Sequence, residues 1–139
     1  MFLNILTNAE TSGIGNNFYL IAVRIEMGQN VKWIKLNQGQ FGYFRVNYPD
    51  YMWKNLRSVA LTEFSAKERC GLIDDAFSLA YANYMDYNVA MEYSQVMRNE
   101  TEYVPWDCSD GHFLKIGHLL STSLPEAYSI YRASTNTQL

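Results

Sequence analysis

Residues that bind metals or cross-link chains are scarce here: 139 residues include two cysteines, Cys70 and Cys108, and two histidines, His112 and His118. Two cysteines are too few for a disulfide framework, and alone they cannot make a structural zinc site, which takes four ligands. Cys70 lies in an apolar helical pattern and is expected as a buried free thiol. The histidines stand six residues apart, about 240° around a helix, and no acid follows His112, so a shared metal site is not expected. The His-Glu-x-x-His arrangement of zinc hydrolases is missing from the chain.

Other absences narrow the field further. The 11 Lys and Arg residues are scattered and the net charge is −3. Without a concentrated basic surface to neutralise phosphates, nucleic acid is excluded as a partner. No run of about eighteen apolar residues could span a bilayer. Met1 to Ala9 lacks the basic and sustained apolar regions of a signal peptide, so any targeting segment is expected outside this chain. There is no Gly-x-Ser-x-Gly elbow, dinucleotide fingerprint or phosphate loop. No residue is assigned a catalytic or metal-binding role, and no substrate-binding residue is identifiable.

What is present, 48% apolar and 15% aromatic residues, suffices for a core. The turn-forming cluster Ser12 to Asn17 leads into Phe18 to Glu26, a β-branched and aromatic run that predicts a strand. Residues 31–37 and 42–48, joined through Gln38-Gly39-Gln40, predict a β-hairpin. In its second arm Phe44, Val46 and Tyr48 share one face, and Tyr43, Arg45 and Asn47 share the other.

Pro49 ends the strand and suits the first position of a helix whose apolar stripe is Tyr51, Met52, Trp53, Leu56, Val59 and Ala60. Ser65 and Glu68 have capping-box spacing, ahead of a helix expected to bury Ile73, Ala76, Phe77, Ala80 and Tyr84. Asp86 is placed to cap another helix, with Val89, Tyr93, Val96 and Met97 on one side and an antiparallel neighbour before it. Pro105 stops that pattern. Ser109 or Asp110 then caps a helix carrying Phe113, Ile116, Gly117 and Leu120, and Pro125 begins a last one. The fold class is therefore mixed: strands and a hairpin, then an all-α region of paired helices compatible with the first units of a solenoid.

Asp74 and Asp75 are adjacent carboxylates that could act as acid and base in a cleft. Neighbouring helical positions diverge by about 100°, which favours one solvated Asp and one hydrogen-bonded to a neighbouring element. Asn99-Glu100-Thr101 fits the N-glycosylation pattern, and Asn99 is alternatively a helix C-cap.

Three segments carry a family resemblance. Trp33-Ile34-Lys35-Leu36-Asn37 with Gly42-Tyr43-Phe44-Arg45-Val46-Asn47-Tyr48 and Trp53-Lys54-Asn55-Leu56 is the first. Arg69-Cys70-Gly71-Leu72-Ile73-Asp74-Asp75-Ala76-Phe77-Ser78-Leu79-Ala80 is the second, and Asn99-Glu100-Thr101-Glu102-Tyr103-Val104-Pro105-Trp106 is the third. In this order and spacing they resemble the zinc metallo-aminopeptidases that include aminopeptidase N, glutamyl aminopeptidase and the endoplasmic-reticulum aminopeptidases. Residues 31–106 carry the likeness.

The resemblance implies a fragment: residues 1–30 as a poorly matching lead-in with one strand, 31–48 as the hairpin ending a β-sandwich domain, and 49–139 as the start of the helical C-terminal domain. It implies that Tyr43, Arg45, Asn47, Tyr48, Trp53, Arg69, Asp74, Asp75, Phe77, Pro105 and Trp106 hold the fold. The parent would be a zinc enzyme acting on peptides, at the plasma membrane or secreted. A homodimer of the parent through the helical domain is compatible with the resemblance. The piece itself would bind no zinc, giving shape and substrate gating while inactive alone. The alternative is a non-catalytic helical module derived from the family, binding a partner through its aromatics.

Overall fold

The computed structural model describes residues 2–8, 18–26 and 28–136, and most of these are helical. Strands β1 (Phe2–Asn8), β2 (Phe18–Arg24) and β3 (Phe44–Asn47) form an antiparallel sheet in the order β2-β1-β3. The expected strand at residues 18–26 is thus β2, and β1 is a second strand within the first 30 residues. The Ser12 to Asn17 turn cluster lies outside the described residues.

The hairpin expected over residues 31–48 does not form. Its second arm is β3, but β3 pairs with β1, from Asn4 opposite Asn47 to Thr7 opposite Phe44. Residues 31–36 carry no ladder. Asn37, Gly39 and Gln40 all have left-handed backbone, with φ of 54°, 65° and 55°, which coils the link instead of returning the chain in register. The Asn37 amide secures this coil by donating to the carbonyls of Gly42 (2.9 Å) and Phe44 (3.2 Å) and accepting from the Gly42 N–H (2.8 Å). The first arm is used elsewhere: Asn55 donates to the Lys32 carbonyl at 2.6 Å, the Leu36 N–H donates to the Tyr48 hydroxyl at 2.8 Å, and Trp33 meets Phe64 edge-on at 5.2 Å.

Helix α1 (Asp50–Glu63) has Pro49 as its N-cap and buries Met52, Trp53, Leu56 and Ala60. Tyr51 leaves the expected stripe for solvent, and Val59 is half-buried. The capping box opens α2 (Ala66–Tyr81): the Ser65 hydroxyl accepts from the Glu68 N–H, and the Glu68 carboxylate accepts from the Ser65 N–H at 3.2 Å. α2 is the central helix, with eight buried residues including Ile73, Ala76, Phe77 and Ala80. Tyr84 is a correction. The helix ends at Tyr81, left-handed Asn83 turns the chain, and the Tyr84 N–H closes back on the Leu79 carbonyl at 2.9 Å, leaving its ring exposed.

Asp86 caps α3 (Tyr87–Ser94) by accepting from the Asn88 N–H at 2.8 Å, and a 3-10 turn, Gln95–Asn99, follows. α4 runs unbroken from Tyr103 to Ser123. The expected cap at Ser109 or Asp110 is therefore replaced by a start six residues earlier than Ser109, with Pro105 in the first turn, where its missing N–H costs nothing. Ser109 is fully buried mid-helix and donates back to the Trp106 carbonyl at 3.0 Å. α5 begins at Pro125 and extends to Asn136.

Contact order along the helices defines their directions. Lys54 reaches Glu92 and Arg57 reaches Gln95, so α1 and α3 run parallel. Cys70 meets Cys108, Asp74 meets His112 and Tyr81 meets Lys115, so α2 and α4 run parallel too. Tyr131 donates to the Phe113 carbonyl while Tyr128 approaches Gly117, so α5 returns against α4. Helices alternate in sense, each aligned with the next but one, which is the arrangement of stacked helical hairpins. Val46 and Tyr48 join the same apolar core as α1, α2 and α3.

Removing the capping hydroxyl by Ser65→Ala is expected to cost about 1 kcal/mol. Emptying the fully buried site at Phe77 by Phe77→Ala is expected to cost about 3–5 kcal/mol. Denaturant melts measure both; a larger loss at Ser65 than at Phe77 would contradict the assignment of the core face.

Candidate functional site

A charged junction joins the sheet to the helices. Arg45 projects from β3 toward α2, where its Nη1 donates to Asp74 Oδ2 at 2.6 Å and to Asp75 Oδ1 at 3.0 Å. The other Asp75 oxygen accepts from the Val46 N–H at 3.4 Å. Asp74 Oδ1 faces α4, 3.0 Å from His112 Nε2. The His112 ring stacks on Phe77, centroids 5.1 Å apart. Neither aspartate is simply solvated: each has a partner on another element.

The two carboxyls respond in opposite directions. The hydrogen bond from His112, with help from Arg45, holds Asp74 down at about 2. Burial pushes Asp75 up to about 6, against the pull of Arg45. Beside them opens a cavity of about 660 Å³ lined by Arg45, Asp74, Asp75, Ser78, Tyr43 and Gln40, among others. Gly71 admits the Gln40 side chain onto α2, since a Cβ there would lie 1.5 Å from Gln40 Nε2.

A second ion pair is buried. Arg69 donates through Nε and Nη2 to Glu100 at 2.5 and 2.8 Å, and through Nη1 to the Phe64 carbonyl at 2.5 Å. Glu100 also accepts from the Thr101 and Glu102 N–H groups, both at 3.0 Å, and its carbonyl receives Trp106 Nε1 at 3.3 Å. Pro105 is buried beside this loop. Asn47 donates to the Tyr84 carbonyl at 2.7 Å, and Trp53 packs edge-on against Tyr48 and Tyr93, at 5.3 and 5.2 Å. Tyr43, in contrast, is 99% exposed.

The cysteine expectation is corrected: Cys70 and Cys108 form a disulfide, Cα atoms 5.6 Å apart, joining α2 to α4. Closing a loop with a sequence separation of 38 restricts the unfolded chain by about 4 kcal/mol in the chain-entropy account. Elements distant in sequence bring these thiols together. One signal was available: Cys70 and Asp74 are four apart, as are Cys108 and His112, so two parallel helices could match both pairs one turn apart. His112 and Glu100 were missed as partners of Asp74 and Arg69 for the same reason.

Asn99 is exposed, ends the 3-10 turn and is not left-handed. His118 is exposed on α4, one and a half turns beyond His112. Among the described residues no three His, Cys, Asp or Glu side chains converge as a metal site. With the thiols oxidised together and His112 engaged by an aspartate already paired to Arg45, the donors here do not suit zinc.

A profile of the ERAP1-like C-terminal domain matches residues 33–139. The aminopeptidase N of Plutella xylostella is 34% identical over 105 residues, covering 73% of this chain and 11% of that protein. The thyrotropin-releasing hormone-degrading ectoenzyme of Rattus norvegicus is 36% identical over 102 residues, 71% of this chain and 9% of its own length. The glutamyl aminopeptidase of Bos taurus is 40% identical over 77 residues, 52% and 8% respectively. The chain belongs to the ERAP1-like C-terminal domain family. It spans about a tenth of the length of these relatives.

The carboxyl shifts give the junction a pH signature. Asp75, raised to about 6, binds its proton more tightly in the folded state, so its contribution is full in acid and lost as pH rises through about 6. Asp74, lowered to about 2, contributes above its ordinary 3.8 and loses that as pH falls toward about 2. Urea melts across this range are expected to show Asp75→Asn flattening the decline toward neutrality and Asp74→Asn flattening the loss in strong acid. A neutral-side decline unchanged by Asp75→Asn would place its origin elsewhere.

Proposed function

We propose that this chain is a segment of a zinc-dependent aminopeptidase that removes N-terminal residues from peptides, and that it supplies shape and substrate gating. The observation that carries this reading is the family match over residues 33–139, whose first residues contain the strand-to-helix junction. On this reading residues 31–48, with β3, belong to the end of a β-sandwich domain, and α1 to α5 begin a wall of paired helices. Such a wall restricts long or folded substrates by its curvature and packing. The parent's zinc is held by residues outside this chain and would polarise the scissile peptide bond and activate water. Arg45, Arg69, Asp74 and Asp75 act here as positioning groups that keep the sheet, α2 and the α3–α4 loop in one arrangement.

The purified chain is expected to hydrolyse no aminoacyl reporter amide and to hold no stoichiometric zinc, measured by metal analysis and by fluorogenic assay. Grafted in place of the matching segment of the Plutella xylostella aminopeptidase N, residues 33–136 are expected to preserve hydrolysis of short amides and to alter the ratio of long to short peptides cleaved. A tightly held zinc on the isolated chain, or a graft with an unaltered length preference, would overturn the reading.

A secreted or membrane-anchored parent exposes this segment to glycosylation. Asn99 is solvent-exposed with Thr101 two residues on, the geometry an acceptor requires. Expression through a secretory pathway is expected to add a glycan that a glycosidase removes and that Asn99→Gln abolishes, read by intact mass; a mass insensitive to the glycosidase would remove Asn99 as the acceptor.

A further inference from the structure

The α2–α4 contact is unevenly built. α2 buries eight residues, whereas α4, at 21 residues, buries only Pro105, Ser109 and Ile116. None of the described α5 side chains, 125–133, is buried. Beyond its first turn, α4 meets the apolar core through Ile116, with Phe113 and Leu120 partly buried against it, and is held to α2 by a short ladder. Its rungs are the Cys70–Cys108 disulfide, His112 against Asp74, Phe77 against His112 and Phe113, the Tyr81 hydroxyl on the His112 carbonyl at 3.2 Å, and Lys115 over the Tyr81 ring at 3.7 Å. The covalent rung comes one turn before His112 and sets the height at which the others meet. Both cysteines are half-buried, outside the fully buried core.

The helices beneath do not depend on that bond. Met52, Trp53, Leu56, Ile73, Tyr93 and Met97 pack together from α1, α2 and the α3 segment, and the Arg69–Glu100 pair ties the α1–α2 corner to the loop before α4. The first turn of α4 is anchored separately by Pro105 and Trp106. Opening the disulfide therefore removes the covalent restraint on a weakly buried layer while leaving the contacts among α1, α2 and the α3 segment in place.

We propose that Cys70–Cys108 is a redox-operated clasp: a dithiol reductant opens it and releases α4, from the turn after Trp106, together with α5, from a folded α1–α3 body. In the exchange the S–S bond breaks, the two sulfurs take up two electrons and two protons to become thiols, and the dithiol is oxidised to its own disulfide. Release uncovers the Phe77 and Tyr81 rings. The clasp is a property of this chain, independent of the proposed peptidase role. Within that role, it makes the shape of the helical wall sensitive to thiol reductants.

Hydrogen exchange read by mass spectrometry, on the full chain with and without dithiothreitol and with thiols counted by alkylation, tests the clasp. Reduction under native conditions is expected to raise exchange in residues 107–136 by about tenfold or more while residues 50–97 keep their protection, and reoxidation restores the starting pattern. The Cys70→Ser/Cys108→Ser double variant is expected to match the reduced chain, and if it fails to accumulate, reduction of the folded wild type still decides. A disulfide that resists reduction without denaturant, an unchanged exchange pattern after reduction, or a rise in all segments together would each overturn the proposal.

Discussion

The Asp74 carboxylate faces two ways, and the arrangement of the molecule depends on that. One oxygen takes the Arg45 guanidinium from β3 and the other meets His112 from α4, so a single side chain on α2 connects the strand layer to the outer helix layer. Partly exposed ion pairs add little to stability, typically about 0–1 kcal/mol. Their effect here is directional. The apolar face of α2, with Ile73, Phe77 and Ala80, gives the core its cohesion without specifying how a strand or a parallel helix should be oriented against it. The charged contacts select one orientation on each side.

Arg69 and Glu100 make a different bargain with solvent, because both are buried. Desolvating two charges is favourable only when nearly all their hydrogen-bonding capacity is used. The guanidinium makes three bonds and the carboxylate accepts from two further backbone N–H groups, so little is left unpaired. The pair joins the α1–α2 corner to the α3–α4 loop. Trp106, bonded to the Glu100 carbonyl, extends this tie into α4. The loop before α4 is thereby tied at once to the α1–α2 corner and to the first turn of α4.

Several features were legible because their physics is local. The Ser65–Glu68 capping box, the Asp86 cap and the start of α5 at Pro125 depend on residues within one turn, and all are where the spacing places them. The alternation of Phe44, Val46 and Tyr48 sent two of the three side chains into the core and left Phe44 half-buried. The helical face of Ile73, Ala76, Phe77 and Ala80 followed from a 3.6-residue period.

Other features were decided only when distant segments met. Residues 31–37 have the composition of a strand, yet the left-handed coil after them directs β3 to β1, and no local propensity specifies that choice of partner. Asp107 to Gly111 contains helix-breaking residues, but the helix continues because Pro105 and Ser109 are buried and Cys108 and His112 are held by α2. Cys70 reads as an ordinary buried thiol until α3 carries the chain back and sets a parallel α4 beside it. The sequence by itself determined where α2, α3 and α5 begin, the buried face of α2 through Ile73, Ala76, Phe77 and Ala80, and which family the motifs resemble, since these depend on near neighbours. The disulfide, the β1–β3 pairing and the Asp74 bridge were decided by tertiary structure alone, because each joins residues 29 or more apart, whose meeting depends on the path of everything between them.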